Sequence, residues 1–118
     1  MEKSLTKTIG LAATTLLLLG SAGVEPQDSL IQQAQDLLRT QLNKDSEIRL
    51  QSFDWVTWSN AALGCPQTDR MYAQVLMEGY RIIFLVDGQS YAFHGSRDNA
   101  PFYCANPQPP VAVGKQSL

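Results

Sequence analysis

Apolar residues fall at Leu30, Ile31, Ala34, Leu37, Leu38 and Leu42. This i, i+4, i+7, i+8 spacing places them on one face of a helix. Gln33, Gln35, Asp36, Arg39 and Thr40 take the opposite side. Ser29 and Gln32 read as a capping box, each side chain satisfying a backbone N–H of the other residue. The helix is therefore predicted to begin at Ser29. It should end near Asn43, a residue that tolerates the left-handed conformation.

Beyond the helix the period changes to two. Ile48 and Leu50 alternate with Arg49 and Gln51, and then the apolar phase slips by one, to Phe53 and Trp55. A β-bulge near Ser52 would keep both sets on one face, and two short strands with a kink is the alternative. Residues 59–70 have little periodicity and read as a loop. A strand is expected over 71–77, with Glu78 and Gly79 as a tight connection. Residues 80–86 are nearly all apolar, the signature of a central strand covered on both faces. Asp87-Gly88 predicts a type I′ hairpin turn, which needs positive φ at both central residues. Residues 89–94 return as a strand with Tyr91 and Phe93 on one face, and 102–104 form a short strand at an edge. Residues 105–118 carry Pro107, Pro109 and Pro110 without periodicity and read as a flexible tail. One helix followed by hairpin-linked strands predicts an α+β fold. An N-terminal amphipathic helix packs on a curved antiparallel meander of four or five strands.

The start of the chain has a different character. Lys3 and Lys7 precede the uncharged run 8–20, and the small residues Ser21, Ala22 and Gly23 follow. That order is a secretory signal peptide. Cleavage is expected after Ala22 or Gly23, giving a leader over 1–22, a linker over 23–28, a single domain over 29–104 and the tail. The 13 residues of the run are short of the roughly 20 needed to span a bilayer. A retained N-terminal anchor is the alternative. Export implies a periplasmic or extracellular location.

Composition then narrows the function. The 118 residues carry a net charge of −2. Losing Glu2, Lys3 and Lys7 with the leader leaves ten acids and seven bases, so the mature chain carries −3. Basic residues are scattered, which argues against nucleic acid as a partner. Two cysteines and one histidine are too few for a zinc site of four Cys/His ligands, and no metal or cofactor is expected. About 95 residues make a marginal domain without a staple. In an oxidising compartment Cys65 and Cys104 can form one intramolecular bridge. Closing such a loop is worth about 4 kcal/mol. A reactive thiol is the alternative, but Cys65 has no basic neighbour before Arg70.

His94 lacks a spacing signature for a triad and reads as a strand-end histidine hydrogen-bonded to a loop. Trp58, Asn60, Leu63, Arg70 and Tyr72 lie in or beside the loop that the bridge would fasten. Pre-ordered loops on a stable scaffold are where binding residues sit. These five are the candidate partner contacts, with Trp58 as a plug under the loop as the plainer alternative.

The run from Trp58 to Pro66 (WSNAALGCP), then Tyr72-Ala73-Gln74-Val75, Gly79-Tyr80-Arg81-Ile82 and Tyr91-Ala92-Phe93-His94, resembles a family of small exported bacterial domains of unknown function. That family's text runs W-P-D-x-x-L-G-C-P, Y-A-Q-V, P-G-Y-R-I and Y-x-Y-H before a final cysteine. Ser59 and Asn60 stand for its Pro-Asp, Glu78 for its Pro and Phe93 for its Tyr. The resemblance implies a fold and an exported location but no reaction. A looser likeness, in topology and the Asp-Gly turn, is to PepSY-type domains, which implies peptidase regulation.

Together these features predict a monomeric, exported, disulfide-stapled binding module without catalytic activity. Its partner would be a protein, a peptide or an envelope component met through the 58–72 loop. A PepSY-type peptidase inhibitor is the alternative. A small hydrolase or thiol enzyme using Cys65 or His94 is a third reading.

Overall fold

The computed structural model describes residues 25–114. The expected leader, its cleavage point and residues 115–118 lie outside the described residues. Helix α1 (Pro26–Leu42) is followed by strands β1 (Arg49–Trp58), β2 (Met77–Val86), β3 (Gln89–Ser96), β4 (Phe102–Cys104) and β5 (Ala112–Val113). The strands form one antiparallel sheet in the order β4-β3-β2-β1-β5. The fold is α+β, with a single disulfide.

The helix starts earlier than its capping-box reading. Pro26 occupies the first turn and Glu25 is the N-cap, with no side-chain cap. A proline there loses nothing, because its missing N–H would have no intrahelical acceptor. The carbonyl of Glu25 accepts from the amides of Asp28 (3.0 Å) and Ser29 (3.3 Å). Ser29 is thus an interior residue whose hydroxyl accepts from Gln33. Residues 26–28, read as linker, are helix. The far end is as expected: Asn43 has φ 53° and donates to the carbonyl of Arg39.

Ala34 and Leu38 of α1 are fully buried against Phe53, Tyr80, Ile82, Phe84, Val86 and Phe93, with Leu30, Ile31, Leu42, Ile48, Trp55 and Tyr91 around them. Leu37 lies at the margin of the stripe and is half exposed. The bulge is present. Pairing shifts between Leu50↔Phe84 and Ser52↔Ile83, leaving Gln51 unopposed. The extra residue restores the phase, so Phe53 and Trp55 reach the helix side.

Strand β2 lies mid-sheet. Tyr80, Ile82, Phe84 and Val86 are buried, while Arg81, Ile83 and Leu85 are only partly covered. Coverage on both faces is therefore incomplete, because a loop and not a second helix lies over the other face. Asp87 (φ 50°) and Gly88 (φ 79°) make the expected hairpin.

Three expectations give way to tertiary pairing. Residues 71–76 form no strand, because β2 begins at Met77, opposite the last residue of β1. Glu78 and Gly79 lie within β2, opposite Thr57 and Val56. The tail is held over 105–114. Val56 pairs with Val113 and Thr57 with Ala112. The amide of Gln108 donates to the carbonyl of Gly64 at 2.8 Å, and that of Gly114 to Trp55 at 2.7 Å.

Candidate functional site

The sheet face away from α1 carries a polar row. Asp54 lies opposite Arg81, Arg81 opposite His94, and His94 opposite Phe102. Strand pairing alone aligns them, since residues opposite one another point to the same face. Arg81 donates to a carboxylate oxygen of Asp54 at 2.9 Å.

His94 is fully buried. Its Nδ1 lies 2.8 Å from the carbonyl oxygen of Leu63. A carbonyl only accepts, so Nδ1 carries the proton and Nε2 is the acceptor of the neutral ring. Nε2 and the neighbouring Arg81 Nε are buried without a hydrogen-bond partner among the described residues. Burial holds the imidazole below its ordinary range. The Arg81 charge adds to this, and the bond to Leu63 opposes it.

Trp58 covers the imidazole, with ring centroids 4.4 Å apart, and its indole N–H donates to the carbonyl of Gly95 at 3.3 Å. Over this pair runs the loop 59–76. Asn60 Oδ1 accepts from the amide of Ala62 at 2.9 Å, starting a tight turn. Leu63 and Gly64 follow with φ of 55° and 75°. Cys65 is bonded to Cys104. The loop then doubles back. Gln67 donates its amide to the Tyr72 hydroxyl at 3.0 Å, and Ala61 donates to the carbonyl of Ala73 at 3.0 Å.

The five candidate contacts are thereby separated. Trp58 is wholly buried and acts as the plug under the loop. Asn60 serves a turn, and Leu63 offers its carbonyl to His94. Tyr72 is half-buried with its hydroxyl engaged. Arg70 alone among them is fully on the surface. The solvent-facing feature is apolar: Met71 is 97% exposed, Leu76 69% and Val75 52%. Its signal in the sequence is the apolar run expected to be a strand, which finds no pairing partner over 71–76 among the described residues. Beside the disulfide a cleft of about 340 Å³ opens between 65–68 and 103–106.

On the helix side, a groove of about 400 Å³ runs between α1 and 97–100, floored by Trp55. The Arg97 guanidinium lies 5.4 Å above the Trp55 ring. Among the described residues, no group of three or more His, Cys, Asp or Glu could hold a metal. No helix there is long and apolar enough to cross a membrane.

Residues 31–104 match the family described as Domain of unknown function (DUF8738). The chain belongs to this family. No curated protein and no solved structure matches it. The DUF8738 match covers α1 from its second turn through to the final cysteine, so the polar row, the loop and the disulfide all lie within it. Strands β1 to β4, the stapled loop and the buried histidine are thus parts of the DUF8738 domain itself, and β5 lies beyond the match.

Proposed function

We propose that the domain is a non-catalytic binding module of the exported compartment that meets a protein partner through 66–76. The observation that carries this is Met71, almost fully exposed at 97% on a loop tied at both ends. An apolar side chain held out by a fixed backbone is a contact in waiting, because its ordering has already occurred. Val75 and Leu76 extend the apolar surface, and Asp69 and Arg70 supply a charged rim. The disulfide supports the compartment.

The test uses the double variant Met71→Asp with Leu76→Asp. Both side chains are outside the core, so the melting temperature should be unchanged. Burying each is worth about 2 kcal/mol, so a partner captured by the unmodified protein should bind the variant about a thousandfold more weakly. Unchanged affinity for every captured partner would overturn the reading.

A further inference from the structure

The polar row and the loop above it meet at one atom pair, His94 Nδ1 and the carbonyl oxygen of Leu63. We propose that His94 is a proton-operated latch, which seats the 59–65 loop when the ring is neutral and releases it in acid. This goes beyond the binding reading. Only its consequence, a contact surface presented at neutral pH and loosened in acid, rests on that reading.

The ring of His94 is packed against groups from several elements. From β2 it faces Arg81, which is paired with Asp54 of β1. From β4 it faces Phe102, from β1 the indole of Trp58, and from the loop the carbonyl of Leu63. Arg81 and Asp54 are the charged members, and they balance. The neutral ring keeps the row uncharged overall.

A proton has one place to go, since Nδ1 already carries one. Nε2 then changes from acceptor to donor. It is buried without a partner among the described residues, and so is the donor Nε of Arg81, its neighbour on β2. In the neutral ring Nε2 is an acceptor and Arg81 carries the only positive charge of the row. In the protonated ring two donors and two cations stand together with a single carboxylate. A buried charge without a counter-ion is relieved by opening whatever covers it.

Trp58 and the 59–65 loop are that cover. The loop also carries the amide of Ala61, which holds the carbonyl of Ala73. Opening at Leu63 is therefore transmitted to the segment bearing Met71, Val75 and Leu76. The disulfide limits the excursion to the turn between Asn60 and Cys65.

The direction follows from linkage. Burial depresses the ring below its ordinary value of 6.5, so the open form binds the proton more readily than the closed one. The latch is complete above that value. It weakens as pH falls from there to the ring's own lower midpoint, and it weakens no further below it.

The test follows amide hydrogen exchange in the free, unmodified protein from about pH 8 to about pH 4, with the ring nitrogens of His94 observed in parallel by NMR. Protection of the Ala61, Leu63 and Cys65 amides should fall about tenfold per pH unit within the window. Amides of the β2–β3 ladder should stay level. The ring should show the Nδ1–H tautomer at neutral pH. In His94→Gln, which keeps a neutral donor toward Leu63, the dependence should vanish. Loop protection that stays constant through the ring's titration overturns the latch, as does a dependence that survives in His94→Gln. If that variant does not fold, the unmodified protein still decides. No partner is needed, so failure here is distinct from failure of Met71→Asp/Leu76→Asp to lose its partner at neutral pH.

Discussion

The indole of Trp58 lies over the imidazole of His94, with centroids 4.4 Å apart and planes 28° from parallel. Gly64 closes the stack from above. A Cβ built there would come within 2.3 Å of the indole, and the residue has φ +75°. Gly64→Ala therefore combines a left-handed strain with a clash against a fully buried ring. The expected loss is about 3 kcal/mol, read from the urea midpoint.

Gly88 isolates the first of those two effects. Its φ is +79°, but an added Cβ meets nothing within 4 Å. Gly88→Ala should cost only about 1 kcal/mol, with no change in the sheet's circular dichroism. Equal losses at the two glycines would mean that the indole yields.

The Cys65–Cys104 bond closes a separation of 39 residues. Its reduction, or Cys65→Ser with Cys104→Ser, should lower unfolding free energy by about 4 kcal/mol. Exchange protection should fall first in 59–65, where the loop hangs from the bridge. Thiol titration of the native protein should find no free cysteine.

Tyr80 is buried on the helix side and donates to the carbonyl of Asn99 at 2.6 Å. Burial pushes its hydroxyl up from 10.0 to about 12. Between those values the unfolded chain has lost a proton that the folded one keeps. Stability should therefore fall as pH rises through this window. Absorbance titration of the four tyrosines should show one ionising last. Tyr80→Phe should remove that late step.

Much of the fold is legible locally. The slip of phase between Leu50 and Phe53 implies a bulge or a break, because side chains alternate strictly along a strand, and the pairing with β2 makes it a bulge. Asp87-Gly88 implies its hairpin through the φ values the turn demands. In the site less was legible. The 71–77 run has strand composition, but a strand exists only beside a partner, and β1 ends opposite Met77. Ala112 and Val113 have little composition to mark them, and their pairing with β1 comes from the path of the chain after Cys104. The helix start is not legible locally, because Ser29 carries a cap signal that Pro26 pre-empts.

By itself the sequence determined the elements whose causes lie within a few residues. These are the helical stripe, the slip of phase in the first strand, the turn, and the cysteine pair that makes a staple available. Tertiary structure decided which large side chains are inside. Trp58 is buried because His94, 36 positions later, arrives beneath it on β3, and Met71 is exposed because no strand arrives beside it. Burial depends on what the rest of the chain brings to a position. Both residues are apolar, and only the assembled sheet makes one a seat and the other a surface.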